Sequence, residues 1–248
     1  MKSTFTAKIV CNKKVAGGYR NMKLLAPLAS RRAVPGQFVS LKTTEFLRRP
    51  MSLHRINPPY LEILYKVRGK GTEYLKSLKK GALLDILGPL GHGFVERLDF
   101  ETAILVGGGY GISPLKALFD LLKKNKKRII TIAGAKTAGL IFKDGFSGVK
   151  VVTEDGTAGV EGVVTGVLAE TCCGLKGRAM IFACGPDSML KAVGEVAKAH
   201  KVPCRVSMEN MMGCGVGVCL SCVCKTTYGQ KRVCADGPVF NYEEIKWK

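Results

Sequence analysis

Up to about residue 98 the chain is a succession of short β-prone runs separated by Gly, Pro and Asn turn signals. The runs are KSTFTAKIV (2–10), YRNMKLL (19–25), GQFVSLK (36–42), RPMSLHRI (49–56), YLEILYKV (60–67) and ALLDILG (82–88). They predict an antiparallel barrel or sandwich. One helix interrupts them over 72–79, with Thr72 as its cap and Tyr74, Leu75 and Leu78 on one apolar face.

From Glu101 the rhythm changes to strand, glycine loop, helix: TAILV, GGGYGIS, PLKALFDLLKK, then the strand RIITIA. VKVVT, a helix near 160–170, the strand RAMIFA, the helix DSMLKAVGEVAKAH and the strand CRVSM continue it. Five apolar runs joined through helices predict a doubly wound parallel sheet. Beyond Met208 periodicity fades into Gly and Cys, as in a small unit organised by a metal. The expectation is a multidomain β plus α/β chain with units at 1–98, 99–206 and 207–248.

Composition sharpens this picture in three places. The 248 residues are 46% apolar and 23% charged, which excludes disorder and small disulfide-stapled scaffolds. Lys and Arg number 39 against 19 Asp and Glu, a formal charge of +20, which calls for an anionic partner of some kind. No nucleic-acid motif accompanies the charge, and the run KKNKKR (123–128) closes a predicted helix, where lysines suit the dipole. No stretch has signal-peptide or membrane-span character, so neither nucleic acid nor membrane is expected and the chain is placed in the cytoplasm. Five of the ten cysteines fall between Cys214 and Cys234, which is metal-site clustering in a reducing compartment; the others are Cys11, Cys172, Cys173, Cys184 and Cys204.

The sharpest chemical signal is Cys214-x4-Cys219-x2-Cys222-x11-Cys234. The first three match plant-type 2Fe-2S ligation, with a more distant fourth cysteine. Gly213, Gly215 and Gly217 allow the loop to curl so that backbone N–H groups face the sulfurs. Structural zinc is the competing reading, but zinc sites usually pair two short knuckles. Cys224 is expected as a buried hydrophobe. The apolar residues of this loop, Met211, Met212, Val216, Val218 and Leu220, suit either an interface or shielding of a cluster.

In the barrel zone, Arg49-Pro50-Met51-Ser52 is followed by Leu64-Tyr65-Lys66-Val67 and by Gly69-Lys70-Gly71-Thr72. Arg49 and Ser52 suit a phosphate held by charge-assisted bonds, and Gly71–Thr72 amides at a helix N-terminus suit an anion. In the α/β zone, Gly107-Gly108-Gly109-Tyr110-Gly111-Ile112-Ser113-Pro114 follows a strand and opens a helix, and Cys184-Gly185-Pro186-Asp187 stands at a second strand-to-helix turn on the carboxyl edge. The glycine spacing is not that of the dinucleotide fingerprint. The histidines (His54, His92, His200) are dispersed, and no nucleophile elbow or carboxylate pair suggests hydrolysis or group transfer. The barrel motifs together suit the pyrophosphate of a flavin nucleotide, and His54, near Met51, reads as structural or as a flavin-edge contact.

Taken in order, RPxS in a barrel, GGGxGxxP and CGPD in an α/β unit, and a four-cysteine C-terminal loop resemble the ferredoxin–NADP reductase superfamily, specifically the electron-transfer subunits of class 1B dihydroorotate dehydrogenases. The resemblance spans essentially the whole chain. It implies FAD on the barrel, NAD on the α/β unit and the 2Fe-2S cluster at the C-terminus, with electrons passing from dihydroorotate through an FMN-containing catalytic subunit, the cluster and FAD to NAD+. It assigns flavin contacts to Arg49, Pro50, Met51, Ser52, Leu64, Tyr65, Lys66 and Val67, pyrophosphate contacts to Gly71 and Thr72, and nicotinamide-side contacts to Gly107, Gly108, Gly109, Cys184, Gly185 and Pro186. The implied assembly is a heterotetramer with two copies of each subunit, and no residue of this chain is expected as an acid–base catalyst. Tyr110 departs from the small aliphatic residue usual in the family. The segment Gly134–Thr137 has no acidic residue to clasp a ribose, and Lys136 suits a 2′-phosphate, so NAD rests on the resemblance. An NAD(P)H–ferredoxin or sulfur-compound oxidoreductase subunit is the related alternative, and a zinc-bearing interaction module the remote one.

Overall fold

The computed structural model describes residues 4–15, 18–94 and 98–247. Residues 2 and 3 of the first expected strand lie outside them. Six strands, β1 (Thr4–Lys14), β2 (Tyr19–Leu25), β3 (Phe38–Leu41), β4 (Arg49–Asn57), β5 (Tyr60–Lys66) and β6 (Leu83–Leu90), close an antiparallel barrel in the order β1-β2-β5-β4-β3-β6. Alternation along them sends Ile9, Met22, Leu24, Val39, Leu53, Ile63 and Ile86 into a common interior. Two short helices sit on the barrel, α1 (Pro27–Arg32) and α2 (Lys70–Ser77).

Helix α2 starts two residues before the sequence reading places it. Gly69 occupies the cap and Thr72 lies in the first turn, where its Oγ1 accepts from the Gly69 and Arg68 amides at 3.1 and 2.9 Å. Thr72 therefore caps from inside the helix, and its own amide already donates to Gly69 O at 3.0 Å.

The second unit is a sheet ordered β10-β9-β8-β7-β11-β12-β15, comprising β7 (Thr102–Gly108), β8 (Arg128–Ala135), β9 (Val149–Thr153), β10 (Val160–Glu161), β11 (Ala179–Cys184), β12 (Cys204–Ser207) and β15 (Val239–Asn241). All neighbours are parallel except β12 and β15. Ile104 and Val106 pack with Val167, Leu168, Leu190 and Val193 of α4 (Val164–Cys173) and α5 (Asp187–Ala199), whereas Ala103 and Leu105 pack with Leu115, Leu118 and Leu122 of α3 (Ile112–Lys124) on the opposite face. A sheet covered on both sides explains why its strands read as continuous apolar runs.

Two differences from the sequence reading concern the edges. The helix expected from residue 160 starts at Val164, because Gly159 and Gly162 have φ of +68° and +126° and set off Val160–Glu161 as the strand β10. The segment from 207 onward forms a hairpin of β13 (Val223–Thr226) and β14 (Gly229–Arg232) and also gives the sheet its antiparallel edge strand β15, which the sequence reading did not expect. Among the described residues no helix is long and apolar enough to cross a membrane.

The tail is fastened to α5. A Cβ on Gly194 would overlap the Tyr242 ring, whose hydroxyl donates to Glu195 Oε1 at 2.6 Å. Gly194→Ala is therefore expected to destabilise the fold by about 1–3 kcal/mol through overpacking, read as a melting temperature lowered by several degrees in a thermal denaturation.

Candidate functional site: a cleft where three units meet

A cleft of about 210 Å³ opens where the barrel, the α/β unit and the C-terminal segment converge. The barrel contributes Phe38, Pro50, Met51 and Ser52; the glycine loop contributes Tyr110; the far wall is Ser207, Met208, Glu209, Asn210, Met212 and Pro238. Three of the four residues of the Arg-Pro-x-Ser motif thus face the carboxyl edge of the parallel sheet, where α/β folds bind ligands.

Arg49 lies one step away, over the start of α2. A Cβ built on Gly71 would come 2.8 Å from Arg49 Nε and 3.3 Å from Thr43 Oγ1. A guanidinium is held over the start of α2, where the dipole favours an anion and the first amides, that of Thr72 excepted, lie ahead of the helix's own hydrogen bonds, a cradle suited to pyrophosphate. Glycine is what leaves the space open.

The strand after the motif is disposed less simply. Leu64 faces the α/β unit, packed with Tyr19, Ile112, Ala133 and Phe142, while Tyr65 points into the barrel and its hydroxyl donates to Asn12 Oδ1 at 2.9 Å. The side chains of both are committed to packing, and the backbone of Leu64 is engaged as well, since its carbonyl accepts from Tyr110. Val67 packs against the barrel core, and Lys66 Nζ lies 5.8 Å from the centre of the Tyr19 ring.

The glycines of the nucleotide loop serve different ends. Cβ atoms on Gly108 and Gly111 would overlap Met189 and the Cys184 carbonyl, and one on Gly107 would lie 2.6 Å from Ile112 Cβ, so these three are required by protein packing. Gly109, with φ +52° and open space beside it, is the one that faces outward. Gly185 packs against Met189 in turn, and Pro186 caps α5. Cys184 is 0% exposed, in the layer facing α3, so its thiol is buried beneath the cleft wall and does not line it. Burial, with Glu209 nearby, pushes that thiol far up, and Ser207 bonds to it.

Sequence reasoning missed Ser207 and Glu209 as cleft residues and gave Tyr110 no role. Burial, reinforced by Asp187, raises the Glu209 carboxyl. Tyr110 donates to Leu64 O and lies against Tyr19 at 5.4 Å, tying the glycine loop to the barrel. His54 takes part in the same junction: its Nδ1 is 3.0 Å from Ser113 O and its ring meets Phe142 edge-on. It is structural.

The four cysteines come together as two pairs. Amides of Val216, Val218 and Cys219 donate to Cys214 Sγ at 3.3–3.5 Å, Cys214 N donates to Cys219 Sγ at 3.3 Å, and Cys234 N donates to Cys222 Sγ at 3.4 Å. Against the effect of its burial, those amides bring the Cys214 thiol down to about 6, whereas burial and the adjacent Cys222 push Cys234 up to about 12. Ser221 lowers Cys219. Among the described residues no three Cys, His, Asp or Glu side chains close on a single-ion position. Two cysteine pairs with backbone N–H donors at their sulfurs fit a two-iron diamond. Arg232 clamps the loop, forking onto Asp236 at 2.9 and 3.0 Å and donating to Gly217 O at 3.1 Å. Cys224 is buried outside the set.

The cluster loop abuts the cleft. Met212 lines it two residues before Cys214, and a Cβ on Gly215 would lie 3.9 Å from Ser40, the residue paired with Pro50.

Residues 209–246 match the family model described as the iron-sulfur cluster binding domain of dihydroorotate dehydrogenase B. A curated relative from Caldanaerobacter subterraneus subsp. tengcongensis, named dihydroorotate dehydrogenase B (NAD(+)), electron transfer subunit, is 36% identical over 99% of both chains. The chain belongs to this family. A relative of the same name from Desulforamulus reducens is 37% identical over 100% of both. Among solved structures, a chain of an NADH-dependent reduced ferredoxin-NADP oxidoreductase superposes with a TM-score of 0.87 at 32% identity, covering 100% of this chain and 92% of that one. Phthalate dioxygenase reductase, at 16% identity and TM-score 0.64 over 91% of this chain and 87% of that one, shares the fold.

Two outcomes are expected. Replacing Cys214, Cys219, Cys222 or Cys234 with Ser abolishes the visible absorbance and iron content of the cluster, while Cys224→Ser and Cys11→Ser keep both; retention of iron in Cys234→Ser would overturn the ligand set. His54, 1% exposed and lowered by burial from 6.5 to about 4, stays neutral in the fold while the unfolded chain takes up a proton. Its contribution is nil above pH 6.5 and turns against the fold as pH drops toward 4, by on the order of 3 kcal/mol. Denaturant titrations at pH 7 and pH 4.5 should show this loss reduced in His54→Gln.

Proposed function

We infer that the chain is the electron transfer subunit of a dihydroorotate dehydrogenase B, an oxidoreductase of pyrimidine biosynthesis that uses FAD, a 2Fe-2S cluster and NAD. The observation that carries this is the wall shared by Met51, Ser52 and Met212, which puts the Arg-Pro-x-Ser strand and the cysteine loop on one cleft. When bound, a flavin exchanges electron pairs with a nicotinamide and single electrons with an iron–sulfur centre, so it belongs between them.

The chain's own residues bind and orient. Arg49 and the first turn of α2, with Gly71 and Thr72, hold the pyrophosphate; Pro50, Met51 and Ser52 support the flavin ring; and the backbone of Leu64, Tyr65, Lys66 and Val67 follows its edge. The outward-facing Gly109, with Gly107, Gly108, Gly185 and Pro186 shaping the turn beside it, receives the nicotinamide. Cys184 supports this surface from below. Cys214, Cys219, Cys222 and Cys234 hold the cluster. The units 1–98, 99–206 and 207–248 carry FAD, NAD and cluster in turn.

The chain acts with a catalytic subunit, as the family's name implies. We propose that this partner holds FMN, that two copies of each chain assemble, and that the assembly is cytoplasmic. Met211, Val218 and Leu220, 88%, 78% and 61% exposed, supply an apolar contact surface beside the cluster, whereas Met212 and Val216 pack inward. A second reading, an NAD(P)H–ferredoxin oxidoreductase subunit, is supported by the full-length 32% match to such a structure.

The test is reconstitution. Alone, the chain should reduce dyes from NADH in preference to NADPH and leave dihydroorotate untouched; with an FMN-containing catalytic subunit it should form NADH from dihydroorotate. Leu220→Glu or Met211→Glu should weaken the complex at least tenfold without altering dye reduction. Dihydroorotate turnover by this chain alone, or coupling only to ferredoxin, would overturn the reading.

A further inference from the structure

The loop between β3 and β4, residues 42–48, carries Phe46 at 100% exposure and Leu47 at 44%. The ring of Phe46 packs on nothing within the fold, so its faces are free to take a planar ligand. The loop is not loose. At one stem, buried Thr43 accepts the Glu45 amide at 3.2 Å; at the other, Arg48 forks onto Asp85 at 3.0 and 3.1 Å. Glu45 in turn reaches Arg49 at 3.9 Å.

The loop borders the pyrophosphate cradle at both ends, since the side chains of Thr43 and Arg49 supply the atoms nearest the open position on Gly71, Arg49 Nε at 2.8 Å and Thr43 Oγ1 at 3.3 Å. We propose that Phe46 is the platform on which the adenine of the flavin dinucleotide stacks. The proposal rests on reading the barrel as the FAD unit. Phe46 is three residues from Thr43 and three from Arg49, a reach of at most about 10 Å in extended chain. The ribose and base beyond the pyrophosphate must cross a similar span. Met51 and Ser52 line the cleft whereas Phe46 does not, so a dinucleotide with its flavin end in the cleft would carry its adenosine end away from it, within reach of the loop. An aromatic face takes a base by stacking regardless of its hydrogen-bond pattern. Phe46 and Leu47, set among Glu45, Arg48 and Arg49, offer too little apolar area for a protein interface, which needs roughly 800 Å² on each side.

Stacking on adenine separates FAD from FMN, which stops at one phosphate. Apo-protein of the full chain, stripped of flavin with its cluster absorbance intact, is titrated with FAD and with FMN by fluorescence. Phe46→Ala is expected to weaken FAD about tenfold or more and leave FMN unchanged, and Phe46→Trp to restore FAD affinity. If Phe46→Ala binds FAD as the wild type does, or loses FAD and FMN equally, the proposal fails. If it keeps FAD but loses the catalytic subunit, the ring is a partner contact and the proposal also fails. A wild-type chain that takes up neither flavin would sink the flavin reading itself, a result separable from the others.

Discussion

Three backbone pairs hold the functional architecture together: Arg205 with Asn241, Val206 with Phe240, and Ser207 with Val239. Between their ends runs the segment bearing Cys214, Cys219, Cys222 and Cys234, closed at its base by Met208 N donating to Pro238 O at 2.9 Å. Once both ends are fixed on one sheet edge, the segment can only rise over the cleft. Met208, Asn210 and Met212 leave β12 into one wall and Pro238 returns beside them. His92 N bonds to Gly237 O at 2.6 Å, so the barrel grips the same returning strand.

The barrel and the α/β unit are joined with comparable firmness. His54 on β4 meets Ser113 on α3, Tyr110 meets Leu64, and Phe142 fills the space between Tyr19 and Ile112. Lys116 is buried here with Asp120 as its ion partner and the Phe119 and Phe146 rings at 5.0 and 5.6 Å. Burying a lysine is costly unless its charge is paired. Hydride exchange depends on reacting atoms held within a few tenths of an ångström, and such a junction fixes the angle between the surfaces that carry them.

Much of this was legible in the chain. YRNMKLL is β2 residue for residue, and the cysteine spacing pointed to the segment that matches an iron-sulfur binding domain. Where the reading failed, the deciding contacts are remote in sequence. Strand β15 is three residues long and gains meaning only from β12; α1 is a single PLASRR turn with no apolar period. The glycine loop looked shaped for a ligand, yet Gly108 and Gly111 answer to Met189 and Cys184, tens of residues away. The turn that carries Cys184 stands on the carboxyl edge, while its side chain faces α3, a burial that only the packed sheet reveals. Tyr65 belongs inside by simple alternation with Leu64, a signal present in the sequence and outweighed by the motif around it.

Strand β15 also settles how the sheet ends. Without it, β12 would present a row of unpaired amides and carbonyls, an invitation to pair with another molecule. With it, the last strand is three residues long and runs directly into the Tyr242 turn packed on α5. The return of the chain that fastens the cysteine segment therefore also blunts a sheet edge, so protection against misassociation is obtained from the same few residues that align the redox sites.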